Sequence, residues 1–320
     1  MVLGGDLMLN GISPSRKPLD SIAGVTKPAT IALANLEIPL TDRRTATTRK
    51  TPAELRARSQ YILKASPGHA PSLADIGLDA VSLANNHSMD FGKPGLDQML
   101  KVLDAAAVPY AGAGDNQAEA SQAVTVKTTP GGEVGMVSAL AFMNTGSLWK
   151  CWPATKDSAG LYALAFNAKV DSKAKSTLKR WIGLAKRKHQ IVVVSYHWGL
   201  EKQTIPTSYQ VNLARATIDS GADVVWGHHP HVLQGAEIYR GKPILYSMGN
   251  LVSPRPASTG LVRLFFEGSR YRKLRFLPAT ISGGRVSMAA PGEARFSQLS
   301  AAIQRRYPHA SSRSPYQSKR

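Results

Sequence analysis

An α/β fold with substantial parallel strand pairing is what this 320-residue sequence predicts. Three observations carry the expectation. Short apolar runs alternate with segments of helical periodicity along the whole chain. The apolar fraction, 43%, is that of a globular protein long enough to bury a sizeable core. No internal repeat or linker divides the chain, so one domain over residues 1–290 is expected, followed by a basic, disordered tail over 291–320.

Taken in order, Val2-Leu3 is a short first strand that reaches Gly4-Gly5-Asp6, with a carboxylate at its exit. Residues 30–36 form a second apolar run, ending at Asn35-Leu36-Glu37. Residues 43–58 are polar and basic, a loop with a short helix, and 70–76 are helical. Residues 78–84 then make a strand that stops at Asn85-Asn86-His87. Leu96, Met99, Leu100 and Leu103 fall at helical spacing within 94–107. A short strand and turn occupy 109–114, and strands at 124–126 and 134–141 flank the turn Pro130-Gly131-Gly132. Residues 142–161 lack periodicity, which predicts a surface insertion. Beyond a basic helix comes the strongest strand, 190–195, ending at Tyr196-His197-Trp198-Gly199. Residues 209–219 are helical. Val224-Val225-Trp226 reads as a buried strand that breaks at Gly227 into His228, His229 and His231, and a second run, 243–246, ends at Ser247-Met248-Gly249-Asn250. Residues 260–266 and 273–281 form a hairpin across Gly268-Ser269.

The formal charge of +19 is unevenly placed. Residues 169–188 hold eight Lys or Arg against Asp171 alone, on an amphipathic helix carrying Leu178, Trp181, Ile182 and Leu184. Such a field attracts polyanions. It lacks zinc-finger spacing and interleaved stacking aromatics, so nucleic acid is not the expected partner. The single cysteine, Cys151, excludes an intramolecular disulfide and, between Trp149 and Trp152, reads as a packing residue. No segment approaches the unbroken apolar length of a membrane span. The start shows no signal-peptide pattern, and so short a first strand predicts further chain upstream of Met1.

Five strand ends carry side chains of one chemical kind: Asp6, Glu37, Asn86 with His87, His197, and His229 with His231. A single polar residue at a strand exit is an ordinary turn former. Five in succession point elsewhere, because ligands of open α/β sheets sit at the carboxyl ends of the strands. A mixed oxygen and nitrogen set suits Mn, Fe or Zn better than Ca or Mg alone. Two ions sharing a carboxylate would activate water and stabilise charge on a phosphoryl or carbonyl group.

The segments GGDLML, ANLE, LANNHSMDFG, YHWGLEK and GHHPHVLQGAEIYRGKPILYSMGN resemble the capsule-synthesis CapA family, associated with poly-γ-glutamate and part of the calcineurin-like metallophosphatase superfamily. The resemblance runs from Asp6 to about Ile281. It implies a four-layer αββα sandwich with a two-metal site at one end, ligated by Asp6, Glu37, Asn86, His197, His229 and His231. His87 would protonate the leaving group. His228 would be a neighbour, Glu201 would supply a supporting or a ligating carboxylate, Asp90 would support the ligands, and Gln234, Glu237 and Asn250 would be structural or substrate-facing. Two departures stand out. Met8 occupies the place of the histidine of an Asp-x-His motif, and a thioether is no substitute for imidazole on a borderline metal. Glu37 stands where the superfamily has a bridging aspartate. The implied function is a metal-dependent hydrolase or transferase acting on an anionic polymer or phosphorylated substrate. It would work in the cell envelope, beside a membrane-associated capsule-synthesis complex. The alternative is a non-catalytic polymer-binding or assembly factor that retains the fold.

Overall fold

The computed structural model describes residues 1–129, 132–142, 145–289 and 294–307. In chain order the strands begin with β1 (Val2–Leu7), β2 (Ala32–Asn35), β3 (Ala80–Ser82), β4 (Tyr110–Ala111) and β5 (Ala113–Gly114). There follow β6 (Val124–Thr129), β7 (Gly132–Leu140), β8 (Gly160–Leu161), β9 (Ile191–His197), β10 (Val224–His228) and β11 (Leu233–Tyr239). The last are β12 (Lys242–Met248), β13 (Asn250–Val252), β14 (Ala257–Glu267), β15 (Arg270–Ser282) and β16 (Arg285–Met288). Helices α1 (Ala23–Thr26), α2 (Pro52–Arg56), α3 (Ala70–Asp75), α4 (Gly92–Ala105) and α5 (Gln117–Ala120) lie in the first half. The others are α6 (Thr145–Lys150), α7 (Ser172–Lys186), α8 (Ser208–Asp219) and α9 (Ala294–Arg306).

Two sheets form the centre. One runs β16-β15-β14-β1-β2-β3-β4, with β13 also on β1, and its β1 to β4 portion is parallel. The other runs β11-β12-β10-β9-β7-β6, parallel from β7 through β9 and β10 to β12. Because side chains alternate across a strand, each sheet has two faces to bury. Leu3, Leu33, Val193 and Trp226 meet in the core between the sheets. Ala32, Ala34 and Val81 face the opposite way, onto Leu73, Leu96 and Met99 of α3 and α4. Val192 and Val194 likewise pack on Leu178, Ile182 and Leu213 of α7 and α8. The result is the expected αββα order of layers. Polar ties cross between the sheets: Trp226 Nε1 donates to Gly4 O at 2.9 Å, and the Ser82 and Ser138 hydroxyls lie 2.6 Å apart.

Four local expectations are corrected. The strand β1 does not turn at Gly4-Gly5 but continues through Asp6, because a Cβ at Gly5 would stand 2.0 Å from Gly249 O. These glycines allow close approach of backbones and do not make a turn. Similarly, β10 runs through Gly227 to His228, and the strand β11 occupies a stretch between the two apolar runs that the pattern did not assign to a strand. The described part of residues 142–161 is no surface insertion. Leu148, Cys151 and Leu161 are buried, and Trp152 Nε1 donates to Thr47 Oγ1 at 2.8 Å. Part of the expected tail is structured: α9 lies on β11, its buried Phe296 stacked on Phe276 with ring centroids 4.4 Å apart. The Ser300 hydroxyl accepts from Ala236 N at 2.9 Å. Residues 290–293, 308–320 and the Pro130-Gly131 turn lie outside the described residues.

Candidate metal centre

The parallel pairing brings strand ends to one edge of the sandwich. Asp6 of β1 is in register with Asn35 at the end of β2 and with Asn250 of β13. His197 ends β9 opposite His228 of β10. Glu37 follows β2 by two residues, and Asn86 and His87 follow β3. His229 and His231 stand on the turn after β10 with φ of 92° and 55°. Left-handed backbone at two non-glycine residues is strained and persists only where the surroundings impose it, a pattern concentrated at functional sites.

The side chains converge. His197 Nε2 lies 2.7 Å from Asn86 Oδ1 and 3.3 Å from Glu37 Oε1. His231 Nδ1 is 3.5 Å from Asp6 Oδ2, and its Nε2 is 3.7 Å from Glu37 Oε1. Three overlapping groups, Glu37-His197-His229, Asp6-Glu37-His231 and Glu201-His229-His231, each have their donor atoms within 4.8 Å of one another. Phe142 sets its ring edge against His197 and His229, with centroids 5.8 and 4.7 Å away.

These donors suit a metal ion on a physical test. Buried polar atoms are nearly always hydrogen-bonded. Here both carboxylate oxygens of Glu37, His197 Nδ1, His228 Nε2 and His229 Nδ1 are buried without a hydrogen-bond partner. Of these, Glu37 and His229 belong to the overlapping donor groups, and an orphaned carboxylate and imidazole there call for a cation. The set mixes imidazole with carboxylate, as borderline divalent metals prefer.

Electrostatics agree. Burial, and then the charge of Asp6, raise the Glu37 carboxyl well above its ordinary range. Burial also pushes Asp6 up, but His228 and then His231 more than offset it and hold it well below the usual carboxylate value. His197 is driven well down by burial and by His229; His229 falls to about 3 through burial and His231. Both imidazoles are therefore neutral, the form that ligates. For His231, burial lowers the pKa, yet hydrogen bonding and charge from Asp6, with Asn250, leave it raised.

A second group adjoins the first. The His87 Nδ1 lies 2.7 Å from Asp90 Oδ2, so Asp90 accepts its proton and Nε2 is left as the acceptor. Buried Lys50 pairs with Asp90 and donates to Asn86 O at 2.9 Å and Tyr61 O at 2.8 Å. Burial, then the Lys50 charge, lower the His87 pKa.

The structure brings all six expected ligands together, with His87 beside Asn86. Asp90 sits behind His87, while Glu201 lies on the open side with His229 and His231. Gln234 and Glu237 are elsewhere, bonded to Gln210 and to Arg215 with Tyr246. Sequence reasoning misses two residues and leaves the role of a third, Asn250, open between structural and substrate-facing. Lys50 is one cation in a basic run, Phe142 falls in the expected insertion, and Asn250 proves to hold His231 Nδ1 at 2.8 Å. His228 is a closer neighbour than expected: its Nδ1 donates to Asp6 Oδ1 at 2.7 Å. Cys151 is no nucleophile, since burial pushes its thiol up to about 12.

Comparison with known proteins gives a consistent picture. The family model described as bacterial capsule synthesis protein PGA_cap matches residues 1–255. The capsule biosynthesis protein CapA of Bacillus anthracis is 29% identical over 287 residues, covering 88% of this chain and 63% of that protein. The PGA biosynthesis protein CapA of Bacillus subtilis is 29% identical over 249 residues, 78% of this chain and 57% of its own. A probable polyglutamine synthesis accessory protein of Mycobacterium tuberculosis is 31% identical over 222 residues, covering 69% and 55%. This chain thus spans 55% to 63% of the length of these relatives. A hypothetical protein from Thermus thermophilus has the same fold, with a TM-score of 0.50 at 15% identity over 87% of this chain and 98% of that one.

Proposed function

The chain belongs to the bacterial capsule synthesis protein family, and from that premise we propose a metal-dependent hydrolase or transferase that acts on an anionic polymer of capsule or envelope synthesis. The observation that carries the reading is the set of buried, unpartnered donors around Glu37. Asp6, Glu37, Asn86, His197, His229 and His231 would hold two divalent ions. When bound, such ions polarise a phosphoryl or carbonyl oxygen and lower the pKa of water.

The chain's own residues do the rest. A cavity of about 360 Å³ opens beside the donors and is lined by Tyr61, His87, Glu201, Lys202, His231 and Arg255 among others. Lys202 and Arg255 are exposed and have no acidic partner among the described residues, so they are free to bind carboxylate or phosphate groups of the substrate. Asp90 fixes the tautomer of His87, whose Nε2 exchanges a proton with the attacking or leaving atom. With its pKa depressed, His87 is a proton acceptor at neutral pH, and the donor role implied by the resemblance is populated only in acid. Phe142 shields His197 and His229 from water. The family and the names of the relatives favour an envelope setting and a polyglutamate-like substrate.

The test is metal analysis of purified protein, with hydrolysis of an aryl phosphate and of γ-glutamyl oligomers. His229→Ala is expected to lose metal and at least about a hundredfold in rate, as removal of a principal electrostatic group does. Unchanged rate and metal content would sink the proposal. A second reading, polymer attachment without catalysis, is favoured by the exposed cations Lys173, Lys175, Lys179, Arg180, Arg187 and Lys188 on or beside α7. Salt-sensitive polyglutamate binding that survives His229→Ala, with no activity in the parent protein, would select it.

A further inference from the structure

The two implied ion positions are unequally provided. One has Glu37, His197 and His229, with Asn86 2.7 Å from His197. The other has only Asp6, Glu37 and His231. Met8 lines the same cavity as His231 but offers a thioether, a poor ligand for a borderline metal. We propose that Glu201 is a direct metal ligand, joining His231 as a donor on the open side of the less well provided position. The inference rests on the metal-centre reading above and decides between the two roles, supporting or ligating, that the resemblance leaves open for this carboxylate.

Several observations place it there. A Glu201 carboxylate oxygen lies within 4.8 Å of donor atoms of both His229 and His231. The loop that carries it is fastened to the histidine turn, since Lys202 N donates to Pro230 O at 2.8 Å. In a chain with 40 Lys and Arg, Glu201 has no cationic side chain paired with it among the described residues. The His229 Nδ1 beside it is buried and unpartnered. An unpaired carboxylate on the open side of such a set is arranged to meet a cation, and a further oxygen donor suits a borderline divalent metal.

The experiment measures binding of Mn(II) and Zn(II) by equilibrium dialysis of the chelator-stripped, full-length protein, so the readout does not depend on turnover. Glu201→Gln is expected to leave one ion bound with unchanged affinity and to weaken the other at least tenfold. The change lies on an exposed loop, and thermal unfolding checks that the fold is kept. Because Glu201→Gln removes charge as well as a donor, the decisive partner is Met8→His on that background. It restores a donor without restoring charge, and recovery of the weakened site identifies ligation. Two results overturn the inference: unchanged affinity in Glu201→Gln, or no recovery in the double variant. A wild-type protein that binds neither metal would instead overturn the metal-centre reading itself.

Discussion

At the scale of the residue, Lys50 shows how much the site depends on single charges. Its ammonium is buried with Asp90, beside His87 and under the backbone of Asn86. Desolvating an ion pair offsets much of its attraction, but removing one partner leaves the other charge stranded. Lys50→Met should therefore destabilise the protein by about 3–5 kcal/mol, measured by urea unfolding. A loss under about 1 kcal/mol would mean that Asp90 finds another partner or takes up a proton. The same substitution reaches His87, which would titrate nearer its ordinary value without the cation.

At the scale of the element, β1, β9 and β10 carry the centre because their polar termini share one edge. The strands and the polar residues at their ends were legible in the sequence: apolar runs stop at Asp6, His197 and His229, which the fold brings to one edge. What escaped was set by contacts between distant segments. Gly4-Gly5 looks like a turn until the nearness of Gly249 is known. Phe142 looks like loop until His197 and His229 stand beside it. Helix α9 was hidden by a Ser- and Arg-rich composition, although Phe296, Ser300 and Ile303 recur at helical spacing and are buried. Truncating Phe296 to Ala should cost about 3–5 kcal/mol by leaving a cavity against Phe276. Calorimetry checks this, and a change below about 1 kcal/mol would show that α9 adds little to the second sheet.

At the scale of the molecule, a chain of net charge +19 holds a centre that gathers carboxylates. Without a cation, that arrangement has a defined pH cost. The Glu37 carboxyl is raised above its ordinary 4.5 and His231 above 6.5, so each binds a proton that the unfolded chain has released. Their contribution to stability is lost as pH rises through the folded pKa values. His197 and His229 have the opposite sign. Each stays neutral where the unfolded imidazole is charged, so stability falls as pH drops below 6.5, toward about 3 for His229. Above pH 6.5 the first pair lowers stability, while the Met1 ammonium, held down to about 6 chiefly by burial, has the opposite sign up to pH 8. The test is therefore the stability gap between metal-bound and metal-free protein, which should widen as pH rises. A bound ion removes that loss by taking the place of the protons on Glu37 and His231. No helix among the described residues is long and apolar enough to cross a membrane.

The most direct measurement is calorimetric titration of chelator-stripped protein with Mn(II) or Zn(II) at pH 7, in two buffers of different ionisation enthalpy. Saturable binding with release of about one to two protons, together with a raised unfolding temperature, is the expected result. Absence of binding, or binding that releases no protons and persists in His229→Ala, would contradict a metal centre built on Asp6, Glu37, His197, His229 and His231.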